Sequence, residues 1–173
     1  MTKRCFGFII LKRIRTWLLL PVLVAMLCTV TSAPATTQVA ITLELKRDMK
    51  FGEFAASIDG GGTVILSPDS DTVSFSGSIT NFGGTVRRAR FLITGEPRAY
   101  VIITLPSSIT IRKGTSNNYL TIDNFTMDQT NPVRLSNQGK KTINIGATLH
   151  IGTDQSKGNY NDENTFTYVV EYL

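Results

Sequence analysis

Apolar side chains occupy every second position from residue 143 to residue 151, and threonine, asparagine, glycine and histidine fill the positions between them. Side chains alternate between the two faces of a β-strand, so this pattern predicts a strand with one buried face and one polar face. Short runs rich in Val, Ile, Thr, Phe and Tyr recur between clusters of Gly, Asn, Asp, Ser and Pro. No window after residue 36 keeps helical spacing, and the sequence therefore predicts an all-β fold.

The strand and turn signals are closely and evenly spaced. Strands are predicted at 63–66, 72–79, 91–94, 100–105, 109–111, 119–127, 143–151 and 165–173. Turn-forming residues cluster at 59–62, 68–71, 81–84, 95–97 and 114–118. The nearly continuous apolar runs 91–94 and 100–105 are typical of central strands covered on both faces. About nine or ten short strands indicate a single antiparallel β-sandwich without internal repeats.

The first 35 residues have the order of a secretory signal peptide. Five basic residues and no acidic residue precede and flank an apolar run at 18–30, and small residues follow around Pro34. A helix that spans a bilayer needs roughly 20 apolar residues, so this run is too short for a retained anchor. We expect cleavage after Ala35, export to the periplasm, outer surface or medium, and no membrane span afterwards. The chain then divides into a signal (1–35), an N-terminal extension or first strand (36–48) and a sandwich domain (49–173).

Removal of the predicted signal changes what the composition implies. The chain has 18 Lys and Arg against 13 Asp and Glu, and the five basic residues in the signal account for the net charge of +5. A neutral mature chain lacks the basic surface typical of nucleic-acid-binding proteins, so nucleic acid is not an expected partner. Cys5 and Cys28 also lie in the signal. The mature domain therefore has no disulfide and depends on its apolar core.

The mature sequence offers little for catalysis. It has one histidine, His150, no cysteine and no G-x-S-x-G motif, so no Cys-His or Ser-His-Asp constellation is recognisable. One histidine does not build a zinc site without carboxylates, and the acidic positions 69, 71 and 154–163 do not match a calcium loop. A hydrolase site using Asp123 with Asp128 rests only on the presence of these carboxylates. We expect a protein that is not an enzyme and has no cofactor or metal.

The two ends of the mature chain carry alternating apolar residues. Val39, Ile41, Leu43 and Leu45 alternate with Ala40, Thr42 and Glu44, and the same phase continues through Arg47, Met49 and Phe51. The last residues alternate likewise at Phe166, Tyr168, Val170 and Tyr172. Burial of each N-terminal aliphatic side chain in a groove would contribute roughly 1.5–3 kcal/mol before ordering costs. The N-terminal pattern fits a strand given to another subunit, and it also fits a first strand that packs on its own domain.

Several short segments carry a family resemblance through their order and spacing along the chain. They are MKFGE (49–53), GTVILSP (62–68), FLITGE (91–96), ITLPSS (103–108), IGATL (145–149) and GNY (158–160). In this layout the mature chain resembles the secreted bacterial family called domain of unknown function 4402. It resembles more distantly the spore coat U type subunits of archaic chaperone–usher pili, although the cysteine pair usual in those subunits is absent.

The resemblance implies an immunoglobulin-like, pilin-like sandwich that lacks one strand and is completed by the N-terminal extension of a neighbouring subunit. It implies that Val39, Ile41, Leu43 and Leu45 are the side chains of the donated strand. The C-terminal strand, with Phe166, Tyr168, Val170 and Tyr172, would border the groove and contact a periplasmic chaperone. The expected function is thus a fimbria- or adhesin-like structural subunit that self-associates or meets a chaperone and usher through strand addition. The alternative is a self-contained secreted β-sandwich that binds an unknown ligand.

Overall fold

The computed structural model describes residues 38–114, 118–153, 155–161 and 167–173. Twelve strands make up the regular structure of these residues, and every pairing between them is antiparallel. They are β1 (Thr42–Arg47), β2 (Lys50–Ala56), β3 (Gly62–Leu66), β4 (Val73–Gly77), β5 (Ile79–Arg87), β6 (Ala89–Thr94), β7 (Tyr100–Thr104), β8 (Ser108–Arg112), β9 (Tyr119–Met127), β10 (Val133–Arg134), β11 (Lys140–Ile151) and β12 (Val169–Tyr172). Within the described ranges, no helix is long and apolar enough to cross a membrane. The predicted signal peptide lies outside the described residues.

The long strand β11 organises the largest sheet, which has seven strands. Its residues 140–145 pair with β6, residues 147–151 pair with β3, and residues 145–150 pair with β9. Strands β1, β4 and β8 lie outside β6, β3 and β9, respectively. The five apolar residues of the predicted alternation at 143–151 are each at most 5 % exposed. The sequence pattern therefore identified the central strand of the fold.

Two smaller sheets lie against the apolar face of the large sheet. One has the order β10-β7-β12, and the other pairs β2 with β5. One core cluster joins buried side chains of β6 and β11 to those of β7 and β10. A second cluster joins β3, β9 and β11 to partly buried side chains of β2 and β5. These layers form an antiparallel β-sandwich, and the predicted fold class is confirmed.

The continuous alternation from Val39 to Phe51 does not form one strand. It is divided between β1 and β2, which belong to different sheets and are joined by Asp48 and Met49. The pairing of β1 with β6 is irregular between Leu45 and Arg47, so the alternation of faces is lost there. A pattern of side chains does not reveal where the backbone leaves a sheet.

The segments 72–79 and 81–84 also differ from the prediction. The first forms the end of β4 and the start of β5 rather than one strand, because Gly77 adopts a φ of +80° beside Ser78. A Cβ at residue 77 would lie 2.5 Å from the carbonyl oxygen of Gly61, so only glycine permits this path. The predicted turn 81–84 lies inside β5, where the register to Glu53 shifts and positive-φ glycines accommodate a bulge.

The strand β7 is covered on one face only, contrary to the prediction for 100–105. Val101 and Ile103 are buried, whereas Tyr100 and Ile102 are exposed. The reason is that β7 lies in the thin outer layer of the sandwich, with β10 and β12 beside it. In β6, Phe91 and Ile93 are buried and Leu92 between them is half-buried.

Candidate interface at the two chain ends

The strand β1 lies at one edge of the seven-stranded sheet and pairs with β6 of the same chain. Thr42 lies opposite Thr94, and Leu43 lies opposite Ile93. In the described part of the chain, β6 is the partner strand of β1 in the sheet order. Within the described residues, the other edge of β1 therefore has no partner strand in this sheet.

The four apolar side chains predicted to form the donated face have two different environments. Ile41 and Leu43 are partly buried and pack against the core cluster that contains Phe91 and Ile93. Val39 and Leu45 are 49 % and 54 % exposed. Leu45 stands immediately before the irregular pairing with β6, which explains why the burial of the alternate side chains stops at Leu43.

The strand β12 lies at an edge of the small three-stranded sheet. It pairs with β7, so that Val170 lies opposite Ile103 and Tyr172 lies opposite Val101. Tyr168, Val170 and Tyr172 pack against the same core cluster as Ile41 and Leu43. Phe166, the fourth residue of the predicted C-terminal set, lies outside the described residues. The structure thus brings two of the predicted N-terminal residues and three of the predicted C-terminal residues to one core.

An aromatic contact and a hydrogen-bonded hydroxyl hold β12 in place. The rings of Tyr168 and Phe91 meet edge to face, with centroids 4.7 Å apart and planes at 62°. The Tyr172 hydroxyl donates to the carbonyl oxygen of Val39 at 2.6 Å. It accepts from the backbone N–H of Glu96 at 2.7 Å. Tyr172 therefore joins β12, the loop after β6 and the segment before β1.

A glycine makes room for the Tyr172 hydroxyl. A Cβ at Gly95 would lie 2.6 Å from this hydroxyl and 3.1 Å from Cδ1 of Leu135. The N–H of Gly95 donates to the carbonyl of Gly139 at 2.8 Å, which fixes the loop. Gly95, the first residue of the predicted turn at 95–97, is thus also needed for packing, which the turn-forming composition alone did not reveal.

An ion pair holds the other end of β1. Arg47 donates through Nη1 and Nη2 to the two carboxylate oxygens of Asp71, at 2.9 and 2.7 Å. The backbone N–H of Arg88 also donates to Asp71 at 3.1 Å, and Nε of Arg47 donates to the Arg88 carbonyl at 3.2 Å. The hydrogen bond from the Arg88 N–H has the largest effect and lowers the pKa of Asp71. Desolvation raises this pKa by less, and the Arg47 guanidinium lowers it further. Sequence reasoning placed Asp71 only in a turn and missed this contact.

The carboxylates that were considered for catalysis have separate structural partners. Asp123 lies 2.7 Å from Nε2 of His150, across the β9–β11 pair. Asp128 accepts from the backbone N–H of Asn144 at 2.9 Å and from its side-chain amide at 2.6 Å. Within the ranges that the structure describes, no three His, Cys, Asp or Glu residues are grouped so that they could hold a metal ion. Asp123 and Asp128 thus stabilise the sheet and its connections.

The described residues form an antiparallel β-sandwich whose two terminal strands close one apolar core. A family model described as "Domain of unknown function (DUF4402)" matches residues 41–172, and the chain belongs to this family. The match includes both β1 and β12. Neither the curated proteins nor the solved structures contain a significant match.

Proposed function

We propose that the protein is a non-enzymatic structural subunit of the cell surface, fimbria- or adhesin-like, that assembles by exchange of β1 between copies. The proposal includes export directed by residues 1–35. The observation that supports it most is the position of β1, an edge strand near the N-terminal end: its Leu43, and Ile41 directly before it, complete the core. A strand in that position is the kind of element that strand addition supplies from another chain.

The connection after β1 favours such an exchange. Only Asp48 and Met49 separate β1 from β2, and these two strands belong to different sheets. A short connection between elements that pack separately is a common hinge for domain swapping. If the backbone extends at residues 48 and 49, β1 leaves its own β6 while β2 keeps its pairing with β5.

The contacts of β1 are the same whichever copy supplies the strand. An equivalent β1 would remake the pairing with β6, the hydrogen bond from Tyr172 and the ion pair with Asp71. Exchange therefore changes little in contact energy, and the hinge and the protein concentration decide the outcome. Head-to-tail exchange that does not close on itself gives a filament. A periplasmic chaperone and an usher are the partners that this proposal implies.

One observation favours a second candidate, a self-contained secreted binding domain. The strand β1 is paired with β6 of its own chain, and the Arg47–Asp71 ion pair holds it there. A domain completed in this way needs no partner to bury its core. In this second candidate β1 stays in place and the ligand binds elsewhere on the sandwich.

Engineered cysteines separate the two candidates. With Cys5 and Cys28 changed to serine, Thr42→Cys in one chain and Thr94→Cys in another face each other only when β1 has moved between chains. We expect a mixture of these two variants, after concentration, to form disulfide-linked dimers under mild oxidation. Thr42→Cys mixed with Thr110→Cys, an exposed position in β8, is the control for random collision. Equal dimer yields in the two mixtures would exclude strand exchange, and the self-contained domain would stand.

A further inference from the structure

The outer face of β7 carries apolar side chains that the rest of the described chain leaves exposed. The run 100–105 is nearly continuously apolar, which is typical of a strand covered on both faces. Val101 and Ile103 are buried on the inner face, whereas Tyr100 and Ile102 on the outer face are exposed. The outer half of this apolar pattern is therefore in contact with water in the single chain.

The strand β12 extends this exposed face. Val169 lies opposite Thr104 and is exposed. Leu173, whose N–H donates to the Tyr100 carbonyl at 3.0 Å, is 75 % exposed. Alternate residues of a strand share one face, so these side chains form a continuous surface with those of β7. The outer patch consists of Tyr100, Ile102, Thr104, Val169 and Leu173.

Two charged side chains flank the outer patch on opposite edges of the small sheet. Arg134 of β10 lies opposite Tyr100, and its guanidinium carbon is 5.7 Å from the centre of the Tyr100 ring. Glu171 of β12 lies opposite Ile102. Among the residues that the structure describes, neither charged group has an ion-pair partner. An exposed apolar surface with a polar rim is typical of a protein–protein contact.

The positions of these charges make the surface complementary to itself. A two-fold axis that lies in the plane of a face-to-face contact, and crosses β7 obliquely between Tyr100 and Ile102, exchanges the β10 and β12 edges of the sheet. Arg134 of each copy then faces Glu171 of the other, and the apolar side chains of β7 meet at the centre. One surface thus supplies both halves of a two-fold contact with two ion pairs, which is what a symmetric dimer requires.

We propose that the outer patch is a docking surface for the outer patch of a second copy of this chain, with Arg134–Glu171 ion pairs between the copies. The face measures at most roughly 14 Å by 17 Å, from three strands and five residues of each. Stable interfaces bury about 800 Å² per partner, so this dimer is weak and forms at high protein concentration. The inference does not rest on the proposed function, because none of these residues belongs to β1 or to its pairing with β6.

Charge reversal tests this contact in the full chain, expressed and purified with its own export segment. Arg134→Glu and Glu171→Arg each place like charges at both ion-pair positions of the dimer, and both positions are exposed, so folding should be unaffected. Sedimentation equilibrium from low micromolar to near-millimolar concentration should show a monomer–dimer equilibrium for the parent. We expect each variant to lower the dimerisation constant by about tenfold or more. Arg112→Glu, the same charge change at an exposed position of β8, is the matched control and should leave the constant unchanged.

A mixture of the two charge-reversal variants tests the symmetry of the contact. In Arg134→Glu both flanking positions are acidic, and in Glu171→Arg both are basic, so a dimer of one with the other regains two opposite-charge contacts. We expect the mixture to dimerise with about the strength of the parent at concentrations where each variant alone is mostly monomeric. No other pair of surfaces would give this rescue from these two substitutions.

A parent protein that stays monomeric over the whole concentration range would overturn the inference. A dimer that is weakened equally by Arg134→Glu and Arg112→Glu would also overturn it, as would a mixture that is no more dimeric than its components. Exchange of β1 does not involve Arg134 or Glu171, and the Thr42–Thr94 disulfide between chains measures it separately. Absence of that disulfide beside a charge-dependent dimer would count against the proposed function alone.

Discussion

The hydroxyl of Tyr172 lies 2.6 Å from the carbonyl oxygen of Val39 and joins residues that are 133 positions apart in the sequence. This contact connects the last strand of the small sheet to the segment that leads into the first strand of the large sheet. Both strands also pack side chains into one core cluster. The two ends of the domain therefore support each other, and loss of either exposes side chains of the other.

Gly95 is a position where a single added methyl group should disturb this junction directly. Its substitution by alanine places a Cβ 2.6 Å from the Tyr172 hydroxyl, so Tyr172 and Leu135 must shift. We expect Gly95→Ala to lower the free energy of unfolding by about 1–3 kcal/mol. The measurement is denaturant unfolding followed by tyrosine fluorescence. Gly152→Ala is the matched control, since a Cβ there meets only Oε1 of Gln155 at 3.7 Å; equal losses in the two variants would contradict the prediction.

The side chains of β1 should contribute unequally to stability. Leu43 packs against the core and is partly buried, whereas Leu45 is 54 % exposed. A fully buried leucine loses about 2–5 kcal/mol on change to alanine, so we expect about 1–2 kcal/mol for Leu43→Ala. Leu45→Ala should change the free energy of unfolding by no more than about 0.5 kcal/mol. Unfolding midpoints in urea give both values, and a larger loss at Leu45 would show that the described register is wrong.

The ion pair at the end of β1 should make stability depend on acid pH. The Arg88 N–H and the Arg47 guanidinium lower the pKa of Asp71 in the folded protein. Their contribution is complete above the unfolded pKa of about 3.9 and is lost as pH falls through the lower folded pKa. Asp71→Asn should therefore destabilise the protein near neutral pH, and the difference from the parent should shrink in strong acid. The effect is small because the Asp71 side chain is 39 % exposed.

Urea unfolding at about pH 7, about pH 5 and about pH 3 tests this dependence. Asp69→Asn, in the same loop, is the matched control and should follow the parent across the series. A difference between Asp71→Asn and the parent that stays constant down to about pH 3 would contradict the role given to the carboxylate.

The sequence predicted those parts of the fold whose signal is local. Strand β9 was predicted with its observed ends, and the buried face of β11 was predicted residue by residue, because alternation of apolar and polar side chains reports directly on one strand. The positions of the two chain ends in the fold could not be predicted in this way, because they depend on which strands pair. The 39–51 alternation is divided at Asp48 and Met49 because β2 joins β5, and no pattern within 39–51 reveals that partner.

The polar contacts of the candidate interface were beyond sequence reasoning for the same reason. Arg47 and Asp71 are 24 positions apart, and their contact follows from the route of β1 beside the loop between β3 and β4. Asp71 alone resembled any other turn aspartate. Tyr172 likewise resembled an ordinary strand tyrosine, since its hydroxyl acquires partners only when β12 lies beside the loop after β6 and the segment before β1.

The shared core of the two terminal strands also bears on the timing of folding. The cluster that contains Ile41 and Leu43 includes Tyr168, Val170 and Tyr172, so it stays incomplete while residue 172 is still in the ribosome. A nascent chain that stops short of β12 keeps β6 and β7 without part of their apolar cover. Closure of this half of the sandwich therefore waits until β12 has been synthesised and has reached its place beside β7.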